Sequence, residues 1–179
     1  MIYYKRLGEI MELKDTIRAI EDYPKEGVIF RDITTLLKDK DAFKKAVDEM
    51  AAKIDEDVDK IIGIEARGFI FGAALAYKLN KGFIPVRKPG KLPWDKLSES
   101  YELEYGQDSI EIHKDAIEPG EKVVIVDDLL ATGGTSKACL KLVRSLGGEV
   151  SSLLFLAELE GLKGRDVLKG EKVLSVIKY

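Results

Sequence analysis

The stretch Val123-Val124-Ile125-Val126-Asp127-Asp128-Leu129-Leu130-Ala131-Thr132-Gly133-Gly134-Thr135-Ser136 constrains this chain more than any other. Four consecutive apolar, mostly β-branched residues without alternation describe a strand covered on both faces, as in the middle of a parallel sheet. The run stops at two carboxylates. Beyond them lie small residues with hydroxyls and paired glycines. An amphipathic run follows (Ala138, Leu140, Leu142, Val143, Leu146) and closes at Gly147-Gly148 in the manner of a helix C-terminus. The plan is strand, loop, helix. Such a loop gathers backbone N–H groups, hydroxyls and the positive end of a helix dipole on one point, which suits a phosphate monoester. Gly133 and Gly134 let the backbone come close. Two acids just upstream would repel a phosphate; they suit hydroxyl donors or a divalent cation, such as a ribose with Mg2+ nearby. The local geometry therefore asks for a ribose 5-phosphate. The plainer alternative is that Asp127-Asp128 only ends a strand and Gly133-Gly134 only makes a turn. Neither the Walker pattern Gly-x-x-x-x-Gly-Lys nor the dinucleotide pattern Gly-x-Gly-x-x-Gly fits.

This block resembles the phosphoribosyl pyrophosphate (PRPP) signature of the type I phosphoribosyltransferases. Its Leu-Leu-Ala-Thr-Gly-Gly-Thr form is similar in particular to the adenine phosphoribosyltransferases. The resemblance implies that Ala131, Thr132, Gly133, Gly134 and Thr135 seat the 5-phosphate of PRPP and that Asp127 and Asp128 hold the ribose hydroxyls.

Composition agrees with such an enzyme. At 179 residues the chain is one domain's worth. Its 45% hydrophobic and 34% charged residues are those of a globular protein rather than a disordered one. The net charge is only -3, with acids and bases mixed, so nucleic acid is an unfavoured partner. Cys139 stands alone on the apolar side of an expected helix and reads as a buried, inert thiol. With one cysteine and one histidine, neither a disulfide nor a Cys/His zinc site can form within the chain. No apolar run approaches the ~18 residues of a membrane span, and no signal-peptide pattern is present. A reducing cytoplasm is the expected setting.

Residues 1–10 read as a tail, and 11–179 as a single domain. Leu13, Ile17 and Ile20 recur at helical spacing up to Tyr23-Pro24. In Gly27-Val28-Ile29-Phe30-Arg31-Asp32-Ile33, Arg31 and Asp32 taken by themselves read as a surface ion pair beside a core Phe. The segment resembles the family's base-holding stretch, which implies that Val28 and Arg31 line an adenine pocket supported by Phe30. Phe43, Val47, Met50 and Ile54 mark a helix with Asp41 as N-cap. Residues 58–64 read as a buried strand, 65–68 as a loop and 69–79 as an apolar helix, a second strand-loop-helix unit. Open α/β sheets bind ligands at such strand ends. Arg67 offers a planar fork suited to pyrophosphate, or a surface partner for Glu65; the resemblance implies the former.

The strand 82–86 runs into Arg87-Lys88-Pro89-Gly90-Lys91-Leu92-Pro93-Trp94, a stiff basic loop attractive to a polyanion or, more plainly, a solvated charge run. In the family this element lies near the pyrophosphate, which implies that role for Arg87, Lys88 and Lys91; Trp94, a residue type more often used for packing than chemistry, is left unassigned. Residues 101–113 alternate with period two around Gly106 to Asp108 and read as a hairpin. Alone, Glu104 is a solvated strand residue. Its Leu-Glu-Tyr-Gly context resembles the family's lid, which implies that Glu104 handles the purine proton with Tyr105 beside it, while His113 is structural. Residues 149–156 form a further strand, the resemblance implies an apolar contact of Leu159 at its end with the purine, 161–166 is a connector, and 173–177 a last strand.

Together these units predict a mostly parallel sheet with helices on both faces, a small N-terminal hood and a hairpin lid. The reaction implied is adenine plus PRPP giving AMP and pyrophosphate. Glu104 and Arg67 are the catalytic candidates, Mg2+ is bound mainly through PRPP, pyrophosphate and water, and a homodimer is expected. Two other readings stand beside it: a phosphoribosyltransferase for another purine (hypoxanthine, guanine or xanthine), and a non-catalytic PRPP-sensing regulator. The chain shows neither the helix-turn-helix nor the basic face that such a regulator would carry.

Overall fold

The computed structural model describes residues 11–103 and 106–179, which fall into two compact units divided between Asp48 and Glu49. The first unit opens with a 3-10 turn, Leu13–Thr16, followed by β1 (Arg18–Ile20), β2 (Phe30–Asp32), α1 (Thr34–Leu37) and most of α2 (Lys40–Ala51). The second unit contains β3 (Lys60–Ile64), α3 (Gly68–Leu79), β4 (Gly82–Val86), β5 (Lys96–Leu103), β6 (Gly106–His113), β7 (Lys122–Leu130), α4 (Gly134–Ser145), β8 (Glu149–Glu158), a 3-10 turn at Glu160–Leu162, α5 (Gly164–Val167) and β9 (Val173–Lys178).

In the first unit the helix expected through Leu13, Ile17 and Ile20 is replaced by the 3-10 turn and β1, which pairs antiparallel with β2. Three apolar residues at helical spacing were outweighed by cross-strand bonding. The Arg18 guanidinium forks onto Asp32 Oδ2 at 3.0 and 2.5 Å, and Thr35 Oγ1 accepts from the Arg18 amide while donating to Thr16 O. The cap of α2 is Asp39 rather than Asp41. Its Oδ1 accepts from the amides of Asp41 and Ala42 at 2.9 and 3.0 Å, because a capping oxygen must stand before the first turn to reach the second and third amides.

In the second unit five strands form one parallel sheet in the order β4-β3-β7-β8-β9. The chain steps from β3 through α3 to β4 in one direction and from β7 through α4 to β8 in the other. Right-handed crossovers in opposite directions place the two helices on opposite faces, and the strand order reverses between β3 and β7. One core cluster joins Ile62, Ile64, Val123, Ile125, Leu153 and Phe155 to Cys139, Leu142 and Val143 of α4 and to Ile110 and Ile112 of β6. Cys139 is fully buried, and burial pushes its thiol far above the ordinary range, so it stays protonated.

Two strands differ from expectation in ways that matter for the site. β7 does not stop at its carboxylates: the ladder with β8 continues through Asp127↔Phe155 to Leu130↔Glu158 because β8 is long enough to pair with it. The acids are therefore held by the last rungs of a sheet rather than by a loop. The hairpin is longer than its alternating core, since Lys96–Leu103 pairs with Gly106–His113 and Leu103 stands opposite Gly106. Gly106 to Asp108 lies in β6, not in the turn, because burying Ile110 and Ile112 together with Tyr101 sets the register. An antiparallel bridge between Arg87 and Glu111 ties the hairpin to the chain leaving β4.

The first turn of α3 is pressed against β7. A Cβ on Gly68 would stand 2.7 Å from Val126 O and 2.9 Å from Asp127 Oδ1. Gly68→Ala must move backbone to relieve that clash, and it is expected to lower unfolding stability by about 1–3 kcal/mol, read as a fall in urea midpoint at unchanged slope.

Candidate active site

The carboxyl ends of β3 and β7 lie side by side at the reversal of strand order. From β3 the chain passes through Glu65 and Ala66, joined by a cis peptide, to Arg67 at the start of α3. Arg67 Nε lies 3.0 Å from Asp128 Oδ2. That oxygen is buried without an aligned hydrogen bond, so the attraction between the two is coulombic. Asp128 is 4% exposed, and Asp127 beside it accepts from the Asp128 amide at 2.9 Å. Burial pushes the Asp127 carboxyl well up and the charge of Asp128 adds to the shift. Asp128 is raised by burial as well, against the pull of Arg67.

Past β7, residues 131–133 lead into α4. Gly133 occupies the N-cap position at φ +83°, where a side chain would be strained, and a Cβ there would stand 2.8 Å from Gly164 O. A glycine cap brings no side-chain acceptor to the first turn. The leading amides of α4 are thus left for an external acceptor at the positive end of a three-turn helix. Thr132 is exposed, while Ala131, Gly134 and Thr135 are half-buried around this turn.

The basic loop is organised by acids that sequence reasoning did not assign. Glu65, with only 9% of its side chain exposed, accepts from Lys91 Nζ at 2.6 Å, from the Lys88 amide at 2.9 Å, and from Arg87 Nε and Nη2 at 3.3 and 3.4 Å. Burial opposes its charge, but these donors outweigh it and hold the carboxyl at about 2. Glu65 thus pairs with the basic loop, while Arg67 turns to Asp128. Lys88 Nζ donates to Tyr101 Oη at 2.8 Å and to Asp108 on the hairpin, and it stands 5.4 Å from the Tyr101 ring centroid. Glu111 Oε2 accepts from the Gly90 amide at 3.0 Å and lies 3.3 Å from Lys96 Nζ. The alternation around Glu111 and the proximity of Glu65 to Arg67 were visible in the sequence. Which cation each acid would meet was not.

Arg67, Asp127, Asp128 and residues 131–135 are brought together at the sheet edge, with Arg87, Lys88 and Lys91 gathered by the Glu65 that precedes Arg67. Leu159 lies beside the end of β7, its amide donating to Leu130 O at 2.9 Å. Val28, Phe30 and Arg31 belong to the first unit. There Arg31 pairs across the ladder with Ala19, Phe30 meets Tyr23 edge to face at 5.2 Å, and Val28 O accepts from the Tyr23 amide. Asp32 pairs with Arg18, not with the adjacent Arg31. Its carboxyl is held at about 2 by hydrogen bonds from the Thr34 hydroxyl and amide and then by Arg18. Glu104 and Tyr105 lie outside the described residues. His113 is half-buried at the far end of β6, opposite Lys96, and Trp94 is exposed.

Comparison with known proteins bears on this arrangement. Residues 34–174 match the phosphoribosyl transferase domain family. The adenine phosphoribosyltransferase of Thermosipho africanus is 60% identical over 168 residues, covering 93% of this chain and 99% of that protein. The crystal structure of adenine phosphoribosyltransferase from Thermoanaerobacter pseudethanolicus superposes with a TM-score of 0.90 at 56% identity, covering 93% of this chain and 98% of that one. The enzyme from Saccharomyces cerevisiae, solved with an imino-altritol bisphosphate and adenine, gives a TM-score of 0.83 at 40% identity over 90% of this chain and 94% of its own. Sequence and fold agree, and the chain belongs to the adenine phosphoribosyltransferase family.

Proposed function

We propose that this chain transfers the 5-phosphoribosyl group of PRPP to adenine, giving AMP and pyrophosphate, at the carboxyl ends of β3 and β7. The observation that carries the reading is the convergence there of an open helix N-terminus, the buried Asp128 beside the half-buried Asp127, and Arg67. The yeast relative's complex with adenine and a bisphosphate supports the same ligand chemistry.

In the reaction the bond from the anomeric carbon to adenine N9 forms as the bond to pyrophosphate oxygen breaks, and the N9 proton leaves the base. The ribosyl centre is cation-like in between, so the protein's tasks are alignment and stabilisation of the departing charge. Ala131 to Thr135 grip the 5-phosphate with amides and hydroxyls, a remote hold that orients the ribose. Asp127 and Asp128 accept from ribose hydroxyls and face the positive centre. Arg67, Arg87, Lys88 and Lys91 receive the pyrophosphate. Their positions are set before substrate arrives, because Glu65 and Asp108 already hold the last three. The family resemblance supports Val28, Phe30, Arg31 and Leu159 as base contacts, with Glu104 taking the purine proton and Tyr105 beside it.

Among the described residues no three acid, histidine or cysteine side chains gather as a metal site of their own. The donors at hand are one or two carboxylates next to a phosphate-bearing substrate, a set that suits Mg2+. Bound through PRPP and water, Mg2+ supplies neutralisation of the leaving group's charge. A homodimer is supported by α3: it buries Phe71 and Leu75 on one side yet exposes Ile70 and Tyr77 on the other, Tyr77 at 92%. A cytoplasmic setting is supported by the lone buried thiol of Cys139. No helix among the described residues is long and apolar enough to cross a membrane.

A panel of adenine, hypoxanthine, guanine and xanthine with PRPP, read by pyrophosphate release, tests the assignment. Release with adenine alone is expected. Release with another purine instead would make it a transferase for that base, and no release with any would make it a PRPP-binding protein without catalysis. Thr135→Val is expected to weaken PRPP binding about tenfold by removing a hydrogen bond to a charged group, and unchanged affinity would count against the phosphate seat. Glu104→Gln should lower kcat by about two orders of magnitude while PRPP affinity stays within about threefold; equal losses in both would contradict a proton-handling role.

A further inference from the structure

Glu158 ends β8 and is 4% exposed, an unusual place for a carboxylate. Arg165 forks onto it, Nε to Oε1 at 2.6 Å and Nη2 to Oε2 at 2.7 Å, and Ser175 Oγ donates to Oε2 at 2.8 Å. Arg165 Nη1 also donates to Val173 O at 2.9 Å, so the guanidinium joins β8, β9 and α5. Gly164 comes immediately before Arg165 and lies directly against the loop that follows β7. A Cβ on Gly164 would stand 2.3 Å from Ala131 O and 2.8 Å from Leu130 Cδ1. From the other side, a Cβ on Gly133 would stand 2.8 Å from Gly164 O and 3.4 Å from Val167 Cβ. The support closes on itself: Leu130 is the register partner of Glu158, and the Leu159 amide donates to Leu130 O.

We propose that Arg165 and Glu158 are a positioning pair for the phosphate-binding loop, holding α5 under Ala131–Gly133 so that the amides at the start of α4 keep their aim. The inference rests on the reading of residues 131–135 as the phosphate seat. Glu158 is buried but the Arg165 side chain is 42% exposed, so solvent screens their charges and the attraction alone adds little to stability. What a bidentate fork adds is direction: two parallel bonds fix α5 in distance and in rotation about the Glu158 carboxylate. That precision matters because Gly164 meets Ala131 backbone to backbone, with no side chain between them to absorb an error. The pair touches no substrate and acts only through the loop.

The test uses the full chain carrying Arg165→Gln, Arg165→Lys or Glu158→Gln, with calorimetric affinities for ribose 5-phosphate and, separately, for pyrophosphate. Arg165→Gln is expected to weaken ribose 5-phosphate about tenfold while pyrophosphate, whose loop follows β3 and does not rest on α5, stays within about twofold. The KM for PRPP should rise by a similar factor with kcat within about threefold. Arg165→Lys, which keeps the charge but not the fork, should recover less than about half of the loss. Should Arg165→Gln fail to fold, Glu158→Gln, which keeps the shape and one acceptor, is expected to give the same split at about threefold. Unchanged ribose 5-phosphate affinity, parallel weakening of both ligands, or full rescue by lysine would overturn the inference. If Thr135→Val weakens ribose 5-phosphate and Arg165→Gln does not, only the positioning pair fails. If neither does, the phosphate seat itself fails and the pair with it.

Discussion

The parallel pairing of β3 with β7 is the constraint on which the rest of the second unit depends. Four register pairs, from Lys60↔Val123 to Gly63↔Val126, bring together two strands from distant parts of the chain and align their carboxyl ends. Because the chain leaves these strands in opposite directions, a crevice opens between their ends, and the loops carrying Arg67 and Ala131 to Thr135 flank it. Close approach of α3 to β7 then becomes a steric demand. Gly68 meets it by having no Cβ where Val126 O and the Asp127 carboxylate already stand.

The charges around this gap are arranged in interlocking pairs. Asp128 faces Arg67, Glu65 gathers Arg87 and Lys91, Asp108 takes Lys88, and Glu158 takes Arg165. A net charge of -3 says nothing of this, because the pairing is local. Cations clustered without such partners would repel one another and spread through solvent. With them, the basic loop has a defined shape in the free protein, and less ordering is left to the moment a polyanion arrives. The cost falls on Asp127 and Asp128, adjacent carboxylates whose burial opposes their charge, with the Arg67 guanidinium beside Asp128.

Much of this could be read from residues in a row. Val123 to Val126 announced a strand buried on both faces, and the small residues and glycines after it announced the loop that enters a helix. The β3-α3 unit repeated the plan. Where reading in a row failed, a partner distant in sequence was responsible. Leu13, Ile17 and Ile20 have helical spacing, but the backbone there is claimed by β2 and Thr35. Asp127 and Asp128 read as the end of a strand, yet the length of β8 carries the ladder three residues past Asp127. Gly106 to Asp108 has the composition of a turn, and burial of Ile110 and Ile112 moved it into β6.

The sequence by itself determined the alternation of strands and helices from β3 onward and, through ordered motifs, the family. Those properties live in windows of about a dozen residues, where hydrophobic period and turn chemistry act. Tertiary structure alone decided which acid restrains which cation. Glu65 has Arg67 two positions away but takes Arg87 and Lys91, Asp32 passes over Arg31 for Arg18, and Glu158 reaches Arg165 around a turn. Charged side chains are long, and Coulomb attraction has no sequence period. Their partners are therefore chosen by where the backbone, already committed to its sheet, leaves them within reach.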